Sequence, residues 1–366
     1  MTKMYSTLPR QYYTSEQIFR EETQRIFYER WLCVGRVEQI PNPGDYFVQQ
    51  VGLESLIIVR TRAGEIRAHY NVCRHRGARL CSHNSQGHVR DSLQCPYHAW
   101  TYNLDGQLIG APHMNEVPGF KKEDYPLHSA HVYTWEGFIF INLASEPQPF
   151  DDLFARLSEK FAAWNIAKLR SARRIDYQVQ ANWKLLVENY SECYHCPLVH
   201  PALSKLSHYM SGENDFEKGV FLGGYMELNQ GSMTLDGATC ATPLGDVGGE
   251  DLNRVYYYML FPNLLLSLHP DYVMFHTLWP QSSGETHIVC EWLFDPEVMV
   301  QPDFDAAPAV EFWDMTNRED WHVCEITQAG VSSRVYTPGP AYVGQEDLIV
   351  AFDQEVLKAL GHHSLN

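Results

Sequence analysis

Hydrophobic positions recur on two different periods along this chain, and the change of period divides it into regions. Behind Ser15, a residue suited to capping a helix, Ile18, Phe19, Ile26 and Phe27 fall at helical spacings and predict a helix over residues 15–31. From residue 44 to residue 143 the texture becomes short β-branched and aromatic runs (46–51, 55–61, 137–142) separated by Gly, Pro, Asn and Asp, which predicts a small all-β module. A connecting helix is expected over 149–166, a strand over 172–179 and a helix over 183–194. Strand-like runs at 255–261, 264–268, 272–279 and 287–294 then suggest an antiparallel sheet, and helices over 307–329 and 345–360 close the pattern. The expected class is α+β: a helical segment over 1–43 packing on the larger domain, a β module over 44–148, and a helix-and-antiparallel-sheet domain over 149–366.

At 366 residues the chain is long enough for two cores, and 45% hydrophobic with 20% charged residues is ordinary globular composition. No apolar run is long enough for a membrane span, and the first ten residues hold no signal-like apolar stretch, so a cytoplasmic protein is expected. A formal net charge of −17 argues against nucleic acid and permits steering of cationic substrates or of a basic partner. The nine cysteines are an odd number, which suits reduced thiols and a metal site better than a disulfide framework.

Two cysteine–histidine arms, Cys73-Arg74-His75 and Cys95-Pro96-Tyr97-His98, are separated by nineteen residues. Thiolate and imidazole together suit zinc or iron–sulfur chemistry. A structural zinc site usually gathers its cysteines in one arm and its histidines in the other. Here each arm carries one of each, the division needed by a Rieske [2Fe–2S] cluster, where two thiolates hold one iron and two imidazoles the other. Gly77 and Pro96 place both arms in loops, whose backbone N–H groups can point at the sulfides. The wider strings, Asn71 to Gly77 and Cys95 to Tyr102, resemble the Rieske domain of the ring-hydroxylating oxygenase family. The interval between the arms is slightly longer than is usual there, an excess read as loop extension around residues 84–88. Cys81, between the arms, reads as a small buried hydrophobe.

The second dense run lies from Asn182 to His200. Two histidines and a carboxylate with open positions form the facial triad of non-haem Fe(II) oxygenases, and His195 and His200 supply the imidazoles. Five residues apart, they share no face of an unbroken helix, so Pro197 is expected to break it and swing His200 back. The run, with its helix opening Asn182-Trp183-Lys184, resembles the catalytic segment of the same family. That resemblance implies a third ligand, an Asp at the start of a helix running into Gln-x-Gly. Asp320 sits in the matching place ahead of Gln328-Ala329-Gly330, with Glu319, Asp314 and Asp347 as competitors. It also implies that Glu192, on the helical face of His195, bridges to His98 of the next subunit, and hence a homotrimer with active sites across its interfaces. Cys193 and Cys196 have the spacing of a redox pair but lack the βαβ context of one. Glu188 and Trp183 read as packing residues.

The string Glu192-Cys193-Tyr194-His195-Cys196 resembles the branch acting on quaternary ammonium compounds: choline, carnitine, glycine betaine and stachydrine oxygenases. Trimethylammonium groups are held by aromatic faces and negative field, and Tyr190, Tyr194, Tyr209, Tyr256, Tyr257, Tyr258 and Trp279 lie near the proposed pocket in sequence. The implied activity is a Rieske-type monooxygenase using O2 and electrons from a separate flavin/iron-sulfur reductase. No Gly-x-Gly-x-x-Gly appears at a strand–helix junction, so NAD(P)H is expected to act through that partner. The competing readings are an aromatic-acid or aryl-ether oxygenase of the same class, and a Rieske electron carrier.

Overall fold

The computed structural model describes residues 5–83, 85–216, 218–229, 231–342 and 344–362, apart from the side chain of Ala155. It divides into two compact units, residues 27–147 and residues 1–26 with 148–366.

The unit of residues 27–147 contains strands β1 (Leu32–Arg36), β2 (Asp45–Val51), β3 (Glu54–Arg60), β4 (Ile66–Tyr70), β5 (Gln86–His88), β6 (Ser92–Gln94), β7 (Thr101–Asn103), β8 (Leu108–Gly110), β9 (Ser129–Trp135) and β10 (Phe138–Asn142). Seven form a sheet in the order β1-β10-β9-β4-β3-β2-β5, and β6-β7-β8 form a second. A buried cluster that includes Val48, Ile57, Leu93, Trp100 and Tyr102 encloses Cys73 and Cys95. The expected loop extension is partly a strand: Gln86–His88 pairs with Asp45–Phe47 at the sheet edge, while Asn84 lies outside the described residues. Gly44 sits beside this edge, where an added Cβ would lie 2.0 Å from the Val89 carbonyl oxygen, so only glycine fits.

The other unit holds strands β11 (Arg170–Val179), β12 (Glu213–Phe216), β13 (Phe221–Glu227), β14 (Arg254–Leu260), β15 (Leu264–Leu268), β16 (Val273–Ser282) and β17 (Glu285–Phe294). They form one antiparallel sheet, ordered β11-β17-β16-β15-β14-β13-β12. Its helices are α1 (Gln11–Thr14), α2 (Glu16–Glu22), α3 (Phe150–Lys160), α4 (Trp183–Tyr190), α5 (Cys196–Val199), α6 (Leu203–Leu206), α7 (Pro296–Met299), α8 (Ala307–Val331) and α9 (Asp347–Leu360). Helix α8 packs on α4 and β11, and α9 packs on α4 and β13. The helix expected over 15–31 is α2, continued as a π-helical turn over Thr23–Phe27, and stops before β1.

The opening Asn182-Trp183-Lys184 has a structural explanation. Asn182 caps α4 by accepting from the Lys184 backbone N–H, and its side-chain amide donates to the Ser283 carbonyl at 2.7 Å. The next two residues both reach Glu22 of α2: Trp183 Nε1 donates to Oε2 at 2.9 Å and Lys184 Nζ to Oε1 at 2.5 Å. All three side chains are buried, so the N-terminal segment is tied into the helix-and-sheet unit by a desolvated ion pair.

Candidate metal centres

Two matching turns build the first centre. The Gly77 N–H donates to the Cys73 carbonyl at 3.0 Å, and the Ala99 N–H to that of Cys95 at 3.1 Å. Gly77 (φ 76°) and Ala99 (φ 55°) occupy the same left-handed position four residues after each cysteine. The turns bring the two thiols together, buried, and leave His75 and His98 exposed with ring centroids 4.7 Å apart. Burial pushes the Cys73 thiol up, opposed by the Tyr102 hydroxyl at 3.4 Å from Sγ and by the His75 backbone N–H. Trp100 stacks on His75 at 4.8 Å. A pair of sulfurs inside and a pair of imidazoles outside fit a cluster with one thiolate-bound and one imidazole-bound iron.

The second centre lies wholly in the helix-and-sheet unit. Helix α4 ends at Tyr190, earlier than the sequence pattern suggests. Pro197 does not break it; it lies in the first turn of α5, a position where the missing N–H costs nothing. His195 and His200 flank that single turn, which returns both rings to one point. Asp320 lies in the middle of α8 rather than at a helix start, so the helix dipole does not account for it.

The converging atoms form a triangle: His195 Nε2 to His200 Nε2 is 3.2 Å, His200 Nε2 to Asp320 Oδ1 2.8 Å, and His195 Nε2 to Asp320 Oδ1 3.3 Å. Bonds of about 2.1 Å meeting at right angles on a divalent ion separate neighbouring ligand atoms by about 3.0 Å. The triangle therefore fits one face of an octahedral ion, with the remaining positions open. Among the described residues this is the one group of three or more potential ligands found to converge in this way.

Both imidazoles are aimed from behind. His195 Nδ1 bonds Glu192 Oε1, and His200 Nδ1 lies 2.7 Å from Glu319 Oε2. A carboxylate accepting at Nδ1 leaves the Nε2 lone pair free to face the converging point. Burial opposes charging of His195, but Asp320 and Glu192 overcome it and raise its pKa to about 10. Glu192 reaches His195 from the loop after α4, not from a shared helical face, and its other oxygen accepts from the Tyr194 and His195 backbone N–H groups. Of the other carboxylates considered from sequence, Glu319 holds the outer side of His200, Asp314 binds Arg318 and Tyr177, and Asp347 lines the adjoining cavity. Cys193 and Cys196 form a disulfide, contrary to the expectation of reduced thiols; the short turn between them sets their Cα atoms 5.0 Å apart, within bridging range.

A cavity of about 410 Å³ opens beside the triangle. Helix α8 contributes Trp313, Thr316, Asn317, Asp320 and Trp321, the i, i+3, i+4, i+7, i+8 face of a helix. Strand β14 contributes Tyr257 and Met259 but not Tyr256 or Tyr258, because alternate residues point to opposite faces. Of the aromatics proposed from sequence, Tyr190, Tyr209 and Tyr257 line the cavity and Tyr194, Tyr256, Tyr258 and Trp279 do not. Trp313, Trp321 and Tyr225 were missed; helical spacing back from Asp320 would have found the first, three and four residues at a time. Tyr257 stands edge-on to both Tyr190 (6.1 Å, 78°) and Trp313 (6.3 Å, 67°).

Residues 166–362 match the ring hydroxylating alpha subunit (catalytic domain) model, and residues 30–121 the Rieske [2Fe-2S] domain model. The chain belongs to the ring-hydroxylating oxygenase alpha-subunit family. It is 31% identical to the glycine betaine monooxygenase oxygenase subunit of Pseudomonas aeruginosa, over 98% of this chain and 91% of that one. It is 38% identical to the carnitine monooxygenase oxygenase subunit of Acinetobacter baumannii over a shorter stretch, 54% of this chain and 53% of that one. The quaternary ammonium Rieske monooxygenase CntA in complex with gamma-butyrobetaine superposes with a TM-score of 0.82 at 27% identity, covering 98% of this chain and 96% of that one. The protein is thus an oxidoreductase, a Rieske non-haem iron oxygenase with a [2Fe–2S] cluster and a mononuclear iron. Among the described residues no helix is long and apolar enough to cross a membrane.

Proposed function

We propose that the chain is the oxygenase component of a cytoplasmic monooxygenase that oxidises an N-methyl group of a quaternary ammonium compound. The triangle of His195, His200 and Asp320 beside an aromatic-walled cavity is the observation that carries this reading. In it, Cys73, His75, Cys95 and His98 hold the cluster, and His195, His200 and Asp320 hold the iron. When bound, the cluster supplies electrons singly and the iron supplies activation of O2 for C–H oxidation.

The chain's own residues bind and orient. Glu192 and Glu319 fix the ring planes and tautomers of the two histidines by accepting at Nδ1. Tyr190, Tyr257 and Trp313 line the wall with aromatic rings, the groups that hold a cation with no proton to donate. Overall, a methyl carbon gains one oxygen atom of O2 while two electrons and two protons reduce the other to water. The resulting N-hydroxymethyl ammonium gives up its hydroxyl proton to solvent as its C–N bond breaks, releasing formaldehyde and leaving the electron pair on the demethylated tertiary amine. The electrons come from a separate NAD(P)H-dependent flavin/iron-sulfur reductase. His98 is exposed on the unit of residues 27–147, which suits an approach by Glu192 of the partner subunit in a homotrimer. The two relatives named above, oxygenase subunits acting on betaine and carnitine by name, support the substrate class.

Iron analysis together with product detection tests this. About three irons per chain and formaldehyde released from a methylated ammonium compound are expected with a reductase present. Two irons per chain, or oxidation confined to aromatic acids, would overturn it.

A further inference from the structure

Every formally charged side chain among the described residues that line the cavity is a carboxylate: Glu192, Glu213, Asp320 and Asp347. The two positive charges of a ferrous ion would already be offset by Asp320, which faces the converging point, and by Glu192 and Glu319 behind the two histidines. Glu213 on β12, exposed at the rim, and Asp347, half-buried at the start of α9, then remain as surplus negative charge around the cavity. His276, the remaining histidine on that wall, adds no positive charge: burial holds its pKa down to about 4.

Resting on the reading of this cavity as the substrate site, we propose that it selects cationic substrates without a carboxylate, alkylammonium alcohols or simple alkylammonium ions, over zwitterionic betaines. An ammonium head gains from both the aromatic lining, Tyr257 and Trp313 among it, and the surplus negative field. A carboxylate brought into the same space is desolvated among like charges, which specificity exploits as a repulsive element. A hydroxyl meets no such repulsion. Tyr257, Trp321 and His276 on the wall are neutral groups that add no repulsion toward a hydroxyl.

Equilibrium binding to the anaerobic iron-loaded protein, read by calorimetry, tests this with choline, tetramethylammonium, glycine betaine, carnitine and the uncharged choline isostere 3,3-dimethylbutanol. Choline is expected to bind at least about tenfold tighter than either zwitterion, about 1.4 kcal/mol, and tighter than the isostere. In the Glu213→Gln, Asp347→Asn double variant the ratio of choline to betaine affinity should fall by about threefold or more, with iron content unchanged. Betaine or carnitine binding as tightly as choline overturns the proposal and leaves the quaternary ammonium reading standing. A ratio unmoved by the double variant also overturns it, because the surplus carboxylates would then play no part. Binding of none of the cations, with an aromatic acid bound instead, removes both readings.

Discussion

Replacing Lys184 with methionine breaks a fully buried ion pair in the helix-and-sheet unit. The ammonium lies 2.5 Å from Glu22 Oε1, and neither side chain has any exposure to solvent. Methionine fills a similar volume but leaves the Glu22 carboxylate with a single donor, Trp183 Nε1 at 2.9 Å. Stranding one partner of such a pair costs about 3–5 kcal/mol, because the remaining charge is desolvated and unpaired. In a unit of this size each kcal/mol lowers the melting temperature by about 2–4 °C, so a fall of roughly 6–20 °C is expected. Calorimetric melting of wild type, Lys184→Met, Glu22→Leu and the double variant reads it. The double variant should recover most of the loss, since removing both charges also removes their desolvation. A single variant within about 1 kcal/mol of wild type, or a double variant as unstable as the two losses summed, would refute the idea that this ion pair fixes α2 to α4.

Glu319→Gln keeps the shape behind His200 but turns a charge-assisted bond into a neutral one; a loss of about 10–100-fold in ferrous affinity is expected by chelator competition, and an unchanged affinity would deny Glu319 its aiming role. Tyr102→Phe removes the hydroxyl near Cys73 Sγ that stabilises the added electron, so the cluster potential should drop by several tens of millivolts in an EPR-monitored titration, and a rise would contradict the assignment. Burial raises Glu188 to about 7, and Asp353, buried beside it, is raised by burial and by Glu188. A carboxyl whose folded pKa exceeds its unfolded value favours folding while protonated, so this contribution is lost as pH rises from the ordinary carboxylate range through about 7. Glu188→Gln should therefore melt with less pH dependence than wild type between about pH 5 and about pH 8; parallel curves would show that Glu188 does not titrate in that range.

The sequence by itself determined the class of fold and singled out the two proposed ligand sets, for one reason in each case. Metal ligands are specified by residue type, and the arms Cys73/His75 and Cys95/His98 carry the division of donors that a mixed cluster requires. The strands from Arg254 to Phe294 were legible because their apolar runs are bounded by turn residues. Strand β13 was not, since Gly223 and Gly224 interrupt its apolar pattern, nor was β12, whose Glu213, Asn214 and Asp215 leave it no apolar pattern at all. Tertiary structure alone decided what the carboxylates do. Glu319 and Asp320 are neighbours in sequence, yet a helical turn of about 100° per residue sends one behind His200 and the other to the converging point. Likewise Glu22 lies far from Lys184 in sequence and carries no local signal of its burial. Its role exists because folding removes water from both charges at once, an energy that no short stretch of sequence contains.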